Sequence, residues 1–263
     1  MLLLLTALLA PPAVAPAKST PAQMIILTGG STQADAEARL RNLQPLIAAA
    51  GEVVEFGGGY PAIEKSADIE GLKAGFFIVV AGVCAPDAVA PALEALKALV
   101  PGTYAKPIAW KKDAMPCATL GESPGSRGWS LEGTVAKGKL RVHAFQYVYT
   151  EDGGEWEQKK WGAIAILEGA AKDSVAAAQF IASEGEFATF GSIAEKGGSV
   201  LLIDEHADGT CLSPGTIGVF EERITVSAKA GAIALERKSR KLKDHECPAF
   251  ETYGDAPPAT PEE

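Results

Sequence analysis

The chain has 263 residues, 47% hydrophobic and 22% charged, with a formal net charge of −9 and a pI near 5.0. That composition excludes a wholly disordered chain and a polytopic membrane protein, and it leaves room for one or two compact domains. The acidic surplus offers no general attraction to a nucleic-acid backbone or to anionic lipid, so no nucleic-acid partner is expected.

Residues 1–17 carry no charge. Leu2 to Ala10 form an apolar run too short for a hydrocarbon core of about 30 Å. Ala15-Pro16-Ala17 is an A-x-A-like cleavage site, so this stretch is predicted to be a signal peptide that leaves Lys18 first. No other segment is apolar for long enough to cross a bilayer, and the mature chain is expected to be periplasmic or secreted with no membrane span. Cys84, Cys117, Cys211 and Cys247 suit an oxidising compartment, where an even count predicts two disulfides in one of three connectivities. Pairing within each half of the chain, Cys84 with Cys117 and Cys211 with Cys247, is the simplest. No CxxC spacing occurs, and neither a metal nor a cofactor is expected.

From Met24 to Leu27 the residues are strand-like and end in Thr28-Gly29-Gly30. Ser31 and Thr32 follow as helix N-caps, and Ala36, Leu40, Leu43 and Ile47 recur at helical spacing. Pro45 predicts an end or kink near Leu43, and Gly51 a stop. Val53 to Phe56 is the second predicted strand. Phe76 to Ala81 is the third, Pro86 to Leu99 a second helix, and Thr103 to Trp110 a fourth strand. Strand, helix and strand thus occur twice over nearly equal spans, an internal duplication of βαββαβ form. Right-handed crossovers put both helices on one face of a four-stranded sheet and leave the other face free for binding.

Residues about 22–112 resemble a SPOR (sporulation-related repeat) domain, a peptidoglycan-binding module of exported bacterial proteins. In that family each half opens with a strand ending in a glycine, with an Ala-Glu pair following inside the helix. Thr28-Gly29-Gly30 before Ala36-Glu37, and Gly82-Val83-Cys84 before Ala90-Pro91, keep that spacing. The aromatic that follows the family's glycine is missing from both halves. The resemblance implies a ferredoxin-like domain over residues 18–117 whose sheet face holds glycan strands. Such a site needs aromatic faces for stacking and polar groups for hydrogen bonds. The predicted glycan-binding residues are Gln23, Thr28, Ser31, Tyr60, Tyr104 and Trp110. Phe76 is a further aromatic near the strands, although with Phe56 and Phe77 it is expected to pack under the helices.

Beyond residue 117 the pattern changes. Residues 118–126 form a turn-rich linker, and 127–253 are predicted to be a mostly β domain, sandwich or barrel, so that the fold class is α+β. Leu140 to Val148 alternates with period two and returns through Trp161 to Leu167 as a hairpin. A helix is expected across Val175 to Ala182, strands at Ser199 to Ile203 and Ile224 to Leu235, and a disordered tail at 254–263. Gly121-Glu122-Ser123-Pro124-Gly125 matches the G-x-S-x-G nucleophile elbow, with Asp204 and His206 or His245 following in hydrolase order. Pro124 and Gly125 lead into a loop rather than a helix, so no enzyme is predicted and no residue is assigned as catalytic. Asp204 to Gly209 resembles the start of a calcium loop, but position twelve is Gly215, and a polar hairpin turn is the simpler reading. Arg237 to Lys243 holds five basic residues in a pattern that suits a protected edge strand. Two functions follow as expectations: a cell-envelope protein that binds peptidoglycan glycan strands, or a non-catalytic periplasmic scaffold whose partners are envelope proteins. The missing family aromatics favour the second.

Overall fold

The structure is a computed structural model and describes residues 19–112, 114–121, 128–150, 157–171, 174–183, 186–208 and 215–247. The predicted signal peptide, the elbow serine Ser123, Cys211 and the tail at 254–263 lie outside them. Strand β1 (Thr20–Gly30) leads into helix α1 (Gln33–Ala50), then β2 (Ala62–Lys65), β3 (Phe77–Cys84), α2 (Ala90–Leu99) and β4 (Tyr104–Trp110). These four strands form one antiparallel sheet in the order β2-β3-β1-β4. Eight further strands follow: β5 (Gly128–Lys137), β6 (Leu140–Thr150), β7 (Glu157–Glu168), β8 (Val175–Ala182), β9 (Glu186–Lys196), β10 (Ser199–Ala207), β11 (Gly215–Lys229) and β12 (Ala232–Cys247). They make two antiparallel sheets in the orders β5-β6-β7-β8 and β12-β11-β10-β9. The chain is thus mixed, with two helices and mostly antiparallel sheet, as an α+β protein.

Alternation along each strand sorts the layers. On β1 and β3, Ile25, Leu27, Val79 and Ala81 point at Leu43 and Leu46 of α1 and at Leu96 and Leu99 of α2. The same core continues through Phe145, Tyr147, Ile164 and Ile166 of the β5–β8 sheet, so the helices are buried between two sheets. On the far face of that second sheet, Val142, Trp161 and Ala163 meet Val200, Leu202 and Ile224 of the third. The last two sheets therefore pack face to face as a sandwich. Residues 114–121 connect the halves by close backbone contact. Glu55 bridges Thr119, Val83 donates to the Pro116 carbonyl at 3.0 Å, and Cys84 is disulfide-bonded to Cys117. A Cβ on Gly82 would stand 2.7 Å from the Ala118 nitrogen, which is why a glycine fits where strap and strand touch.

Several expected elements are placed differently. Helix α1 passes through Pro45 and stops at Gly51, because Leu43, Leu46, Ala49 and Ala50 bury on both sides of the proline and packing carries the helix across the lost bond. Val53 to Phe56 is not a strand. Val53 and Val54 fold back on the helix end through bonds to the Ala50 carbonyl, and the sheet position goes to Ala62–Lys65 beyond the glycine run. The two halves of the predicted duplication are consequently unequal. Val175 to Ala182 is a strand, not a helix: paired with β7, it turns Ala178 and Phe180 to the helices and Ile181 to the sandwich core. Tertiary pairing there overrides the helix preference of an alanine-rich stretch. The expected strand at Ile224 to Leu235 is two strands joined by Ala230 and Gly231, both at positive φ, the geometry of a two-residue hairpin. Asp204 to Ala207 continues β10 instead of turning, since each residue pairs with β11. The hairpin of β6 and β7 and the edge position of Arg237 to Lys243 on β12 are as predicted.

Among the described residues no helix is long and apolar enough to cross a membrane. Cys247 is also disulfide-bonded.

Candidate functional site

The face of the first sheet turned away from the helices is largely covered rather than free. Met24, Ile26, Val80, Ile108 and Trp110 are buried there beneath Tyr60, just before β2, Ile69 and Leu72 of the β2–β3 connection, and Met115 after β4. Strand pairing leaves this face apolar, and chain from both flanks closes over it to keep that surface from water.

One groove of about 280 Å³ stays open, where β1 ends and β3 and β4 begin. Its floor is Ile26 and Ile78, and Lys73 and Lys106 stand at its edge. Phe76 and Tyr104 line it while remaining 43% and 41% exposed, the largest apolar exposures on this sheet. Phe76 is held in place locally. Its backbone N–H donates to Ser66 Oγ at 3.0 Å, and its carbonyl accepts from the Ser66 N–H at 2.9 Å, with Ser66 itself buried. Lys106 Nζ lies 5.9 Å from the centroid of the Tyr104 ring, within cation–π range. The groove thus offers two ring faces, two ammonium groups and an apolar floor. Such a set grips a flat, hydroxylated ligand by stacking and edge hydrogen bonds.

Of the six residues predicted to bind glycan, Thr28 and Tyr104 meet in this groove. Thr28 Oγ1 accepts a bond from Arg39 Nη1 at 3.2 Å. The other four lie elsewhere. Gln23 is opposite Cys84 and Pro107, toward the other end of β1. Ser31 bonds Asp35 at the start of α1, beside a capping box in which Thr32 Oγ1 accepts from the Asp35 N–H and Asp35 accepts from the Thr32 N–H. Tyr60 is part of the cover, and burial, with Glu64 beside it, pushes its hydroxyl up to about 12. Trp110 is 7% exposed and donates its indole N–H to the Ala114 carbonyl at 2.9 Å, so it anchors the chain leaving β4. Phe76, expected under the helices, is instead the exposed wall of the groove. The signal was the alternation itself: Phe76 shares its parity with Ile78 and Val80, which lie on the face away from the helices, whereas Val79 and Ala81 face the helices.

A second cluster lies inside the sandwich. Asp204 and His206 of β10 and Glu222 of β11 place ligand atoms within 4.8 Å of one another. Their bonds are already made. Asp204 Oδ2 accepts from Trp161 Nε1 at 2.6 Å and from Ser183 Oγ at 3.0 Å, and His206 Nδ1 lies 3.3 Å from Oδ1. Glu222 takes both its oxygens to Arg237 Nη1 at 3.1 Å, and Arg237 Nη2 donates to the Ala182 carbonyl at 2.9 Å. This network ties three strands of one sheet to the facing sheet, and Asp204 at its centre is fully buried in the sandwich interior. On β6, His143 is buried with Nδ1 2.9 Å from Thr134 Oγ1, and desolvation, with Arg141 adding to it, lowers its imidazole to about 4.

Compared with known proteins, the chain matches no protein-family model, no curated protein and no solved structure.

Proposed function

We propose that this protein is an extracytoplasmic glycan-binding protein that takes peptidoglycan glycan strands across the groove between Phe76 and Tyr104. One observation carries the reading: a sheet face that is otherwise sealed keeps two exposed aromatic rings on either side of an apolar floor. Exposing both rings costs hydrophobic free energy that a stacked sugar face would recover. The Cys84–Cys117 disulfide fits an oxidising compartment. In this reading the strand order β2-β3-β1-β4, with both helices on one face, is a ferredoxin-like βαββαβ unit, and the SPOR resemblance of residues 22–112 extends to its ligand class. The scaffold reading, with envelope proteins as partners, is favoured by a different fact, the cover that Tyr60, Ile69, Leu72 and Met115 lay over most of the face on which the family binds glycan.

The test is co-sedimentation of the full chain with intact sacculi and with sacculi stripped of stem peptides by an amidase. Binding to the stripped material, weakened roughly fivefold by Phe76→Ala or Tyr104→Ala, is the expected result, since a stacked ring is worth about 1 kcal/mol. Pelleting that neither substitution changes, or no pelleting at all, overturns the glycan reading and leaves the scaffold.

A further inference from the structure

Stacking uses the two rings of the Phe76–Tyr104 groove but not its charge. Among the residues that line it, Lys73 and Lys106 are cations, and none is acidic. Both lysines are exposed, one from the β2–β3 connection and one from β4, so the two charges reach the groove from separate segments. Among the described residues neither forms an ion pair. Two acids of the same region are engaged elsewhere: Glu70 lies 3.0 Å from Lys111 Nζ, and Glu64, opposite Ile78 on β2, accepts from the Tyr60 hydroxyl. Asp68, in the short turn that carries Ser66, does not line the groove. Lys106 Nζ stays beside the Tyr104 ring, 5.9 Å from its centroid, next to the surface on which a flat ligand would stack.

This local surplus runs against the charge of the chain. At a net −9 the molecule as a whole repels an acidic polymer, but salt screens that field beyond about 8–10 Å, so close to the groove the two ammonium groups decide. A lysine head is a compact charge with three donors on a flexible stem. The stem can lie along apolar surface, such as that of Ile26 and Ile78, while the head follows an anion. Two such heads beside an apolar floor suit a carboxylate that projects from a stacked ring.

We infer that the groove selects saccharides carrying a carboxylate over neutral ones, and that Lys73 and Lys106 determine this specificity by pairing with the carboxylate while the sugar ring stacks between Phe76 and Tyr104. The inference rests on the glycan reading and adds a charge requirement to it. On a peptidoglycan strand the glycan's own carboxylate is the lactyl group of muramic acid. That group is an amide where a stem peptide is attached and an anion where the peptide has been removed. A polymer of the same rings without a carboxylate gains the stacking alone.

The test compares co-sedimentation of the full chain with amidase-stripped sacculi and with the same sacculi after their muramyl carboxylates have been reduced to alcohols, which keeps every ring and removes the charge. The carboxylate form should bind about fivefold tighter at low ionic strength, the sum of two exposed ion pairs, and the preference should shrink as salt is raised. The double variant Lys73→Gln/Lys106→Gln should bind both forms equally, at the parent's affinity for the reduced form. Lys97→Gln/Lys196→Gln makes the same change of net charge at exposed positions of α2 and β9 and should keep the preference. Equal binding of the two forms by the parent, a preference that survives in the groove variant, or a preference lost equally in the control would overturn the inference while leaving the glycan reading in place. No binding to either form overturns both. Lys73 and Lys106 are exposed, so an unchanged circular dichroism spectrum of their double variant separates loss of the ion pairs from loss of the fold.

Discussion

Replacing Asp204 by alanine tests how the sandwich is held together. The carboxylate is fully buried, and its loss removes the acceptor of the Trp161 indole N–H, itself 2% exposed, and one partner each of the Ser183 hydroxyl and of His206 Nδ1. A buried donor left without an acceptor costs about 1–3 kcal/mol, and each hydrogen bond to a charged group is worth about 1.5–3 kcal/mol, with two such bonds at 2.6 and 3.0 Å lost here. Asp204→Ala should therefore lose about 3–5 kcal/mol in urea denaturation followed by far-ultraviolet circular dichroism, with an unchanged m-value. At about 2–4 °C per kcal/mol for a chain of this size, the melting temperature should fall by roughly 10 °C. Asp204→Asn keeps an acceptor for Trp161 and should lose less, about 1–2 kcal/mol. Trp161→Phe combined with Asp204→Ala should lose less than the two single losses added, by about 1 kcal/mol or more, because the two side chains meet across the sheets. A loss below about 1 kcal/mol for Asp204→Ala, or additive single variants, would refute the argument that this network joins the sheets. Stabilisation of the parent by zinc or calcium would refute the claim that its carboxylates are already satisfied by the protein.

Three further outcomes are expected. Removing the Cys84–Cys117 disulfide by a double alanine substitution releases a loop with a sequence separation of 33 and should cost about 4 kcal/mol on the chain-entropy account, read as a lower urea midpoint without reductant, under which Cys247 keeps its own disulfide. An unchanged midpoint would show that the strap over β3 is held by its backbone bonds alone. His143 has an imidazole held down to about 4 in the folded chain, against an ordinary value near 6.5, so the unfolded state binds the extra proton between these values. Its contribution, roughly 3 kcal/mol, is present above about pH 6.5 and is lost as the pH falls toward 4; His143→Gln should flatten the parent's acid limb over that window, and parallel stability curves would contradict the assignment. Gly82→Ala should destabilise by about 1–3 kcal/mol, since the new methyl group would meet the Ala118 nitrogen and the Pro116 carbonyl oxygen, which are backbone atoms and cannot swing aside. A neutral Gly82→Ala would mean that the strap is free to move off the strand.

What the sequence by itself determined about this protein was local. The glycine pair closing β1, the Thr32 cap, the apolar spacing of Leu43 and the two-residue alternation of Leu140 to Val148 each act within a few residues, so strand, helix and hairpin were legible there. Two residues of the groove were legible too, because Thr28 and Tyr104 belong to elements whose ends the sequence marks. Only the tertiary structure decided the rest. Val175 to Ala182 became a strand because β7 offered it a ladder, and Ala62–Lys65 displaced Val53 to Phe56 because the pairing edge of β3 lay where the longer chain could reach it. Tyr60 became part of a cover, Trp110 a residue buried beneath it, and Phe76 a wall, according to which segments happened to close over the sheet. The helices, two amphipathic stripes in the sequence, proved to be buried on both sides. Periodicity tells a residue which face of its own element it occupies, but what lies against that face is set by pairing and packing between distant segments, and no local signal encodes it.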